Sequence, residues 1–168
     1  RCRITVTLDG TPVASGPADM FRPDLLAAGK GDGNHAFRIA VPSGAVTRPG
    51  QAVDVLADGH RLQRSPKPLD LARIARPHLD PPWEGRLRLS LPHWNGTVDG
   101  LEMRINDGPA IPLTWTGPAV DWPLPADCLD GRPRVYQATA VVAGLRVVGE
   151  PRIFTAPRYE GALRRADF

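Results

Sequence analysis

Pro81-Pro82-Trp83-Glu84-Gly85-Arg86-Leu87-Arg88 decides how this chain reads, because it returns. The second copy is Pro157-Arg158-Tyr159-Glu160-Gly161-Ala162-Leu163-Arg164, an aromatic-Glu-Gly-x-Leu-Arg pattern repeated 76 residues on. Gly59-His60-Arg61 running to Pro66 is echoed by Gly144-Leu145-Arg146 running to Pro151. A third echo sets Leu8-Asp9-Gly10 with Pro12 and Val13 against Asn106-Asp107-Gly108 with Pro109 and Ile111. Recurrence at one period with matched turn residues is the signature of tandem modules.

Composition says what kind of module. Among 168 residues there are 19 prolines and 17 glycines, which interrupt the chain every few positions. Proline lacks a donor and clashes with the preceding helical turn, so long helices are excluded and an all-β fold is expected. The 42% apolar content suffices for one domain or two small ones. A net charge of +3 with scattered arginines lacks the basic stripe of a nucleic-acid binder, so no nucleic acid is expected as partner. There is no apolar run long enough for a membrane span. Cys2 and Cys128 stand far apart without a CxxC, and the sequence leaves open whether they pair. The chain opens on Arg1, so we expect a piece of a longer protein, and localisation is not readable from its start.

In order, Arg3 to Leu8 alternates apolar and polar residues as a half-buried strand, and Asp9-Gly10 supplies a hairpin turn. Pro12 and Pro17 confine the returning strand to an edge. Pro23, Asp24 and a Leu-Leu-Ala-Ala run stopped by Gly29 predict one short helix. A glycine-rich loop follows, then a strand from His35 to Val41 with Phe37, Ile39 and Val41 on one face. Ala52 to Leu56 and His60 to Gln63 pair around Asp58-Gly59. The expected division is a first module over 1–68, a linker over 69–82 and a second module over 83–157. Residues 158–168 form a tail or the first strand of something further. From the Asp-Gly turn to the matched proline takes 32 residues in the first module and 17 in the second. The surplus, residues 20–35, is an insertion: either a functional elaboration or a cap on an open end of the sandwich.

Chemistry is sparse. His35, His60, His78 and His93 lie apart, with no metal-ligand spacing, so no metal and no cofactor are expected. Asp32-Gly33-Asn34 lacks the ladder and closing glutamate of a calcium loop. Gly29-Lys30-Gly31-Asp32-Gly33 lacks the Ser or Thr and the helix of a phosphate loop, and reads as positive-φ backbone. No serine sits in a nucleophile elbow, and Asp127 and Asp130 read as turn residues. No catalytic residues are assigned and no enzyme is expected. Asn95-Gly96-Thr97 matches a glycosylation sequon.

The four tryptophans, Trp83, Trp94, Trp115 and Trp122, all fall between 83 and 122. Sugar-binding modules stack pyranose C–H faces on flat aromatic rings, with polar groups beside them for the hydroxyls. Trp115, Asp121 and Trp122 are the candidate carbohydrate-binding residues. The competing reading puts the tryptophans in a sandwich core.

Ala18-Asp19-Met20-Phe21-Arg22-Pro23-Asp24-Leu25, then Ala28-Gly29, then Gly31-Asp32-Gly33-Asn34-His35-Ala36-Phe37 resembles a recurrent accessory β-sandwich module. That family occurs in glycosyltransferase-associated and surface proteins of high-GC proteobacteria. The resemblance covers about residues 3 to 66. Its pattern is a "VDG" hairpin followed by "ADxFRPDL" and "AGxGDGxHxF". The second module lacks the last two segments. The resemblance implies a non-catalytic module and a location at the cell surface or in a secreted protein, and it carries no binding residues over.

The sequence thus predicts two tandem antiparallel β-sandwich modules, immunoglobulin-like in the loose sense, with one short helix in the first. The function expected is an accessory module of a larger bacterial surface or glycan-handling protein, with glycan as the candidate ligand. The alternative is a structural or protein–protein module in a surface or fibre assembly.

Overall fold

The computed structural model describes residues 2–157, the side chain of Ser43 apart; the second copy of the aromatic-Glu-Gly pattern and the tail lie outside them. The fold is all-β and sandwich-like, built from several antiparallel sheets with two short helices. The chain divides into two compact units, Arg1–Asp70 and Leu71–Phe168.

Unit 1 is built on a sheet of β1 (Arg3–Leu8), β2 (Thr11–Pro17), β5 (Ala52–Ala57), β6 (His60–Arg61) and β7 (Lys67–Pro68). The order is β2-β1-β5-β6, with β7 beside β6 on the same flank of β5. β2 is an edge strand, as its prolines require, and a bulge falls opposite Val6 and Thr7. Ile4, Val6 and Leu8 alternate onto the buried face of β1. The hairpins form where the Asp-Gly pairs place them: Asp9 and Gly10 have φ of 50° and 84°, and Asp58 and Gly59 have φ of 47° and 82°. Both residues of such a turn need positive φ, which Gly adopts freely and Asp tolerates.

The insertion holds β3 (Met20–Phe21), α1 (Pro23–Ala27) and β4 (Asn34–Ala36). Pro23 opens α1, where its missing N–H costs nothing. Gly29 closes it at φ 68°: its N–H donates to Leu26 O and the Lys30 N–H donates to Leu25 O, a Schellman cap. Gly33 is buried, and a Cβ there would meet Phe21, the Arg22 carbonyl and Leu26 at 3.0–3.1 Å. The strand expected from His35 to Val41 stops at Ala36. Among the described residues its one partner is the two-residue β3, and Arg22-Pro23 turns that partner away into α1, so the ladder ends.

Unit 2 repeats the plan. β10 (Gly100–Ile105), β11 (Ile111–Leu113), β13 (Pro133–Val142), β14 (Leu145–Val148) and β15 (Arg152–Thr155) form a sheet in the order β11-β10-β13-β14, with β15 also on β13. β13 pairs β15 with its first half and β14 with its second, as β5 pairs β7 and then β6. Two of the three sequence echoes are therefore topological: β1, β2, β5, β6 and β7 correspond to β10, β11, β13, β14 and β15. Unit 2 adds a second sheet of β12 (Ala119–Pro123), β9 (Arg86–Ser90) and β8 (His78–Leu79). Its core draws on both sheets, with Leu87 and Leu89 of β9 and Met103, Tyr136, Ala138, Ala140 and Val142 of the larger sheet all buried.

The stretch 69–82, expected as a linker, is structured from Leu71 onward. α2 (Leu71–Ile74) buries Leu71, Ala75 is buried behind it, and β8 pairs with β9 through Leu79 opposite Leu89. Leu71, Ala75 and Leu79 give this proline-rich segment an apolar side that the core takes in.

Candidate functional site

The opening motif builds the most distinctive surface of unit 2. Trp83 and Arg86 exchange backbone hydrogen bonds of 2.9 Å in both directions around Glu84 and Gly85, whose φ are 48° and 72°. This is a two-residue turn of the primed kind, which twists with the strands it joins. The turn holds the Trp83 backbone firmly while the side chain reaches outward, and Trp83 is 76% exposed. Among the described residues with large apolar side chains it is the most exposed.

Strand periodicity arranges its neighbours. In β9, Leu87 and Leu89 point inward, so Arg86 and Arg88 point outward. In β12, Val120 and Trp122 stand opposite Leu89 and Leu87 on the core side, and Asp121 stands opposite Arg88 on the outer side. Arg88 Nη1 lies 3.5 Å from Asp121 Oδ1. Asp80 donates its N–H to the Arg88 carbonyl at 3.0 Å, extending the ladder. Asp80, Pro81, Trp83, Glu84, Arg86, Arg88 and Asp121 line an open cleft of about 270 Å³. The cleft offers one flat ring, two guanidinium donors and three carboxylate acceptors.

The three residues marked by the sequence are dispersed. Asp121 lines this cleft. Trp122 is half-buried on the opposite face of the same strand, because adjacent strand residues point to opposite sides. Asp121 and Trp122 therefore do not face one ligand together. Trp115 is half-buried past the end of β11. Trp94 is 8% exposed and donates its indole N–H to the Thr97 carbonyl at 3.0 Å, which makes it a core residue. Trp83, not among the three candidate residues, is the ring that stands in solvent. The adjacent Glu-Gly, a turn pair, is the signal that the ring stands at a hairpin tip.

A second cleft, of about 260 Å³, is lined by Arg73, Arg76, Pro77, His78, Leu79, Pro92, His93, Glu150 and Arg152. Arg76 Nη1 is 3.3 Å from Glu150 Oε1, and His78 Nε2 is 3.3 Å from Asp80 Oδ1.

Carboxylates elsewhere do structural work. Asp130 takes Arg134 Nη1 at 2.7 Å and Nη2 at 3.1 Å, and accepts the Arg132 N–H at 3.0 Å. Those contacts, the Arg134 hydrogen bonds first, hold its carboxyl far below the usual carboxylate range. Asp32 accepts the Asn34 N–H at 2.9 Å, and that bond is the first cause of its lowered pKa. Cys2 and Cys128 are free thiols, Cys128 buried and raised in pKa by that burial. Among the described residues, no group of three or more His, Cys, Asp or Glu is placed to hold a metal, and no helix is long and apolar enough to cross a membrane. Compared with known protein families, curated proteins and solved structures, the chain matches none.

Proposed function

We propose that this chain is a non-catalytic accessory module that binds carbohydrate through the outer face of the β8-β9-β12 sheet, with Trp83 as the stacking platform. The observation that carries the reading is the 76% exposure of Trp83 on a backbone-locked turn, beside Arg86, Arg88 and Asp121. A large ring left in water loses the free energy of burial, roughly 25 cal/mol per Å² of apolar area. Stacking on a pyranose regains part of it, while the guanidinium and carboxylate groups match the donor and acceptor pattern of ring hydroxyls. The site needs no chemistry of its own, in keeping with an accessory part of a larger glycan-handling or surface protein.

The test is a glycan array probed with the wild-type chain and with Trp83→Ala, Trp115→Ala and Trp122→Ala. Binding abolished by Trp83→Ala with folding intact supports the reading. Binding unaffected by Trp83→Ala and lost with Trp115→Ala would move the site away from this cleft, and an empty array would remove the carbohydrate role.

The structural or protein–protein reading has its own support in unit 1. Met20, Phe21 and Leu26 of the insertion, and Phe37 just beyond it, are all exposed, and exposed apolar side chains are what association surfaces carry.

A further inference from the structure

We infer that the glycan is acidic: a polysaccharide whose carboxylate or sulfate groups enter the arginine-lined cleft while a neighbouring sugar ring stacks on Trp83. This rests on the carbohydrate reading of the Trp83 cleft and adds the ligand's charge and its extent.

The two clefts adjoin at a single side-chain pair. His78 lines the arginine cleft and Asp80 lines the Trp83 cleft, and the two side chains are 3.3 Å apart. Both residues lie on the outer side of the β8-β9 ladder, where His78 stands opposite Ser90. A ligand lying along this edge would touch both clefts, which a single sugar in the Trp83 cleft would not require.

Their charges differ. The Trp83 cleft sets two guanidiniums, Arg86 and Arg88, against three carboxylates, Asp80, Glu84 and Asp121, which suits uncharged hydroxyls and not an oxyanion. The second cleft is lined by Arg73, Arg76 and Arg152 and by the carboxylate Glu150, with Asp80 at its border, 3.3 Å from His78. A concave wall with one predominant sign focuses its field on an incoming counter-charge. Guanidinium groups bind carboxylate and sulfate oxygens in paired, charge-assisted hydrogen bonds. Glu150, on Arg76 at 3.3 Å, marks where an external oxyanion would compete.

The experiment compares polymers of one backbone with and without charge, by isothermal titration of the whole chain. Polygalacturonate is set against its fully methyl-esterified form, and dextran sulfate against dextran, so that the two pairs separate carboxylate from sulfate. Arg76→Ala and Arg152→Ala are measured beside Trp83→Ala, with Arg38→Ala of unit 1 as a control for net charge. The expected result is that at least one charged polymer binds more tightly than its uncharged partner. Arg76→Ala or Arg152→Ala should weaken that binding by about tenfold, the scale of one lost charge-assisted contact. Arg38→Ala should leave it unchanged. Equal binding of the charged and uncharged polymers, still dependent on Trp83, would overturn the acidic ligand and leave the carbohydrate reading standing. Equal losses from Arg38→Ala and Arg76→Ala would reduce the effect to diffuse charge and overturn it as well. Binding to no polymer of either kind would remove both readings.

Discussion

Asp9 of unit 1 and Asn106 of unit 2 perform the same local task. Asp9, at φ 50°, donates its N–H to Ala52 O at 2.9 Å and accepts the Ala52 N–H on Oδ1 at 2.9 Å. Asn106, at φ 49°, donates its N–H to Val135 O at 2.7 Å and accepts the Val135 N–H on Oδ1 at 3.0 Å. Each side chain thus extends the central ladder, β1-β5 or β10-β13, by one residue past the end of its strand. A short side chain with an acceptor oxygen, tolerant of left-handed backbone, is what the position demands. Asp58 does likewise at the other end of the unit 1 ladder, exchanging N–H donors with Arg3 at 2.8 Å.

Replacing Asn106 by Ala removes the acceptor and leaves a β-carbon at positive φ. Asn106→Ala should destabilise unit 2 by about 1–2 kcal/mol, while Asn106→Asp should stay near wild type. Chemical denaturation of the variants checks this. An Asn106→Ala protein as stable as the parent would show that the ladder extension carries no weight.

Unit 2 has no counterpart of Asp58 at its second turn, where Ala143 and Gly144 have φ of 45° and 75°. Alanine gains no hydrogen bond for its left-handed backbone, and the added β-carbon strains it. Ala143→Gly should stabilise unit 2 by about 0.5–1 kcal/mol, read as a higher midpoint of thermal unfolding.

Gly96 lies against the Trp94 ring, and a Cβ there would come within 2.4 Å of Trp94 Cζ2. The ring is buried and tied to Thr97, so it has little room to give. Gly96→Ala should cost about 1–3 kcal/mol by overpacking, visible as a changed tryptophan fluorescence and a lower melting temperature.

Both units should lose stability in acid, unit 2 through Asp130, whose carboxyl Arg134 holds far below its ordinary range, and unit 2 should lose it in alkali as well. The carboxyls of Asp9, Asp54 and Asp58 are held below the ordinary aspartate value of 3.8, by the Ala52 amide, the Ser65 hydroxyl and the Arg3 amide first in each case. A carboxyl whose folded pKa lies below its unfolded one adds stability above the unfolded value and loses it as pH falls through the folded one. Unit 1 should therefore weaken in acid below about 4. In unit 2, burial pushes Tyr136 up to about 12, from an ordinary value of 10.0. The unfolded chain ionises this tyrosine first, so unit 2 should lose stability as pH rises from 10 toward 12. Urea denaturation across pH checks both slopes, and a flat alkaline limb would contradict the buried, neutral Tyr136.

How far the sequence carried depends on the range of the interaction. The turns at Asp9-Gly10 and Asp58-Gly59, and the Pro23-to-Gly29 helix, are local conformational facts, and residue type announces them. Two of the echoes, Gly59 to Pro66 with Gly144 to Pro151 and the Asp9 turn with the Asn106 turn, were readable because they mark turns that the shared topology reuses. At 69–82 the prolines spoke for a linker, whereas the buried Leu71 and Ala75 and the pairing of Leu79 with Leu89 depend on partners distant in sequence. The tryptophans were beyond reach for the same reason. Exposure separates Trp83 from Trp94, and only the strand partners of Trp122 show that it faces away from Asp121.

The most direct test of a sugar-binding face at Trp83 is a two-dimensional NMR titration of the indole Nε1–H signals. The four tryptophans give four such signals, and Trp83→Ala identifies one by deleting it. Titrated with a panel of oligosaccharides, including the acidic ones, the Trp83 signal should move progressively with at least one sugar while that of buried Trp94 stays in place. A Trp83 signal that stays fixed across the panel, or shifts confined to Trp115 or Trp122, would contradict the account.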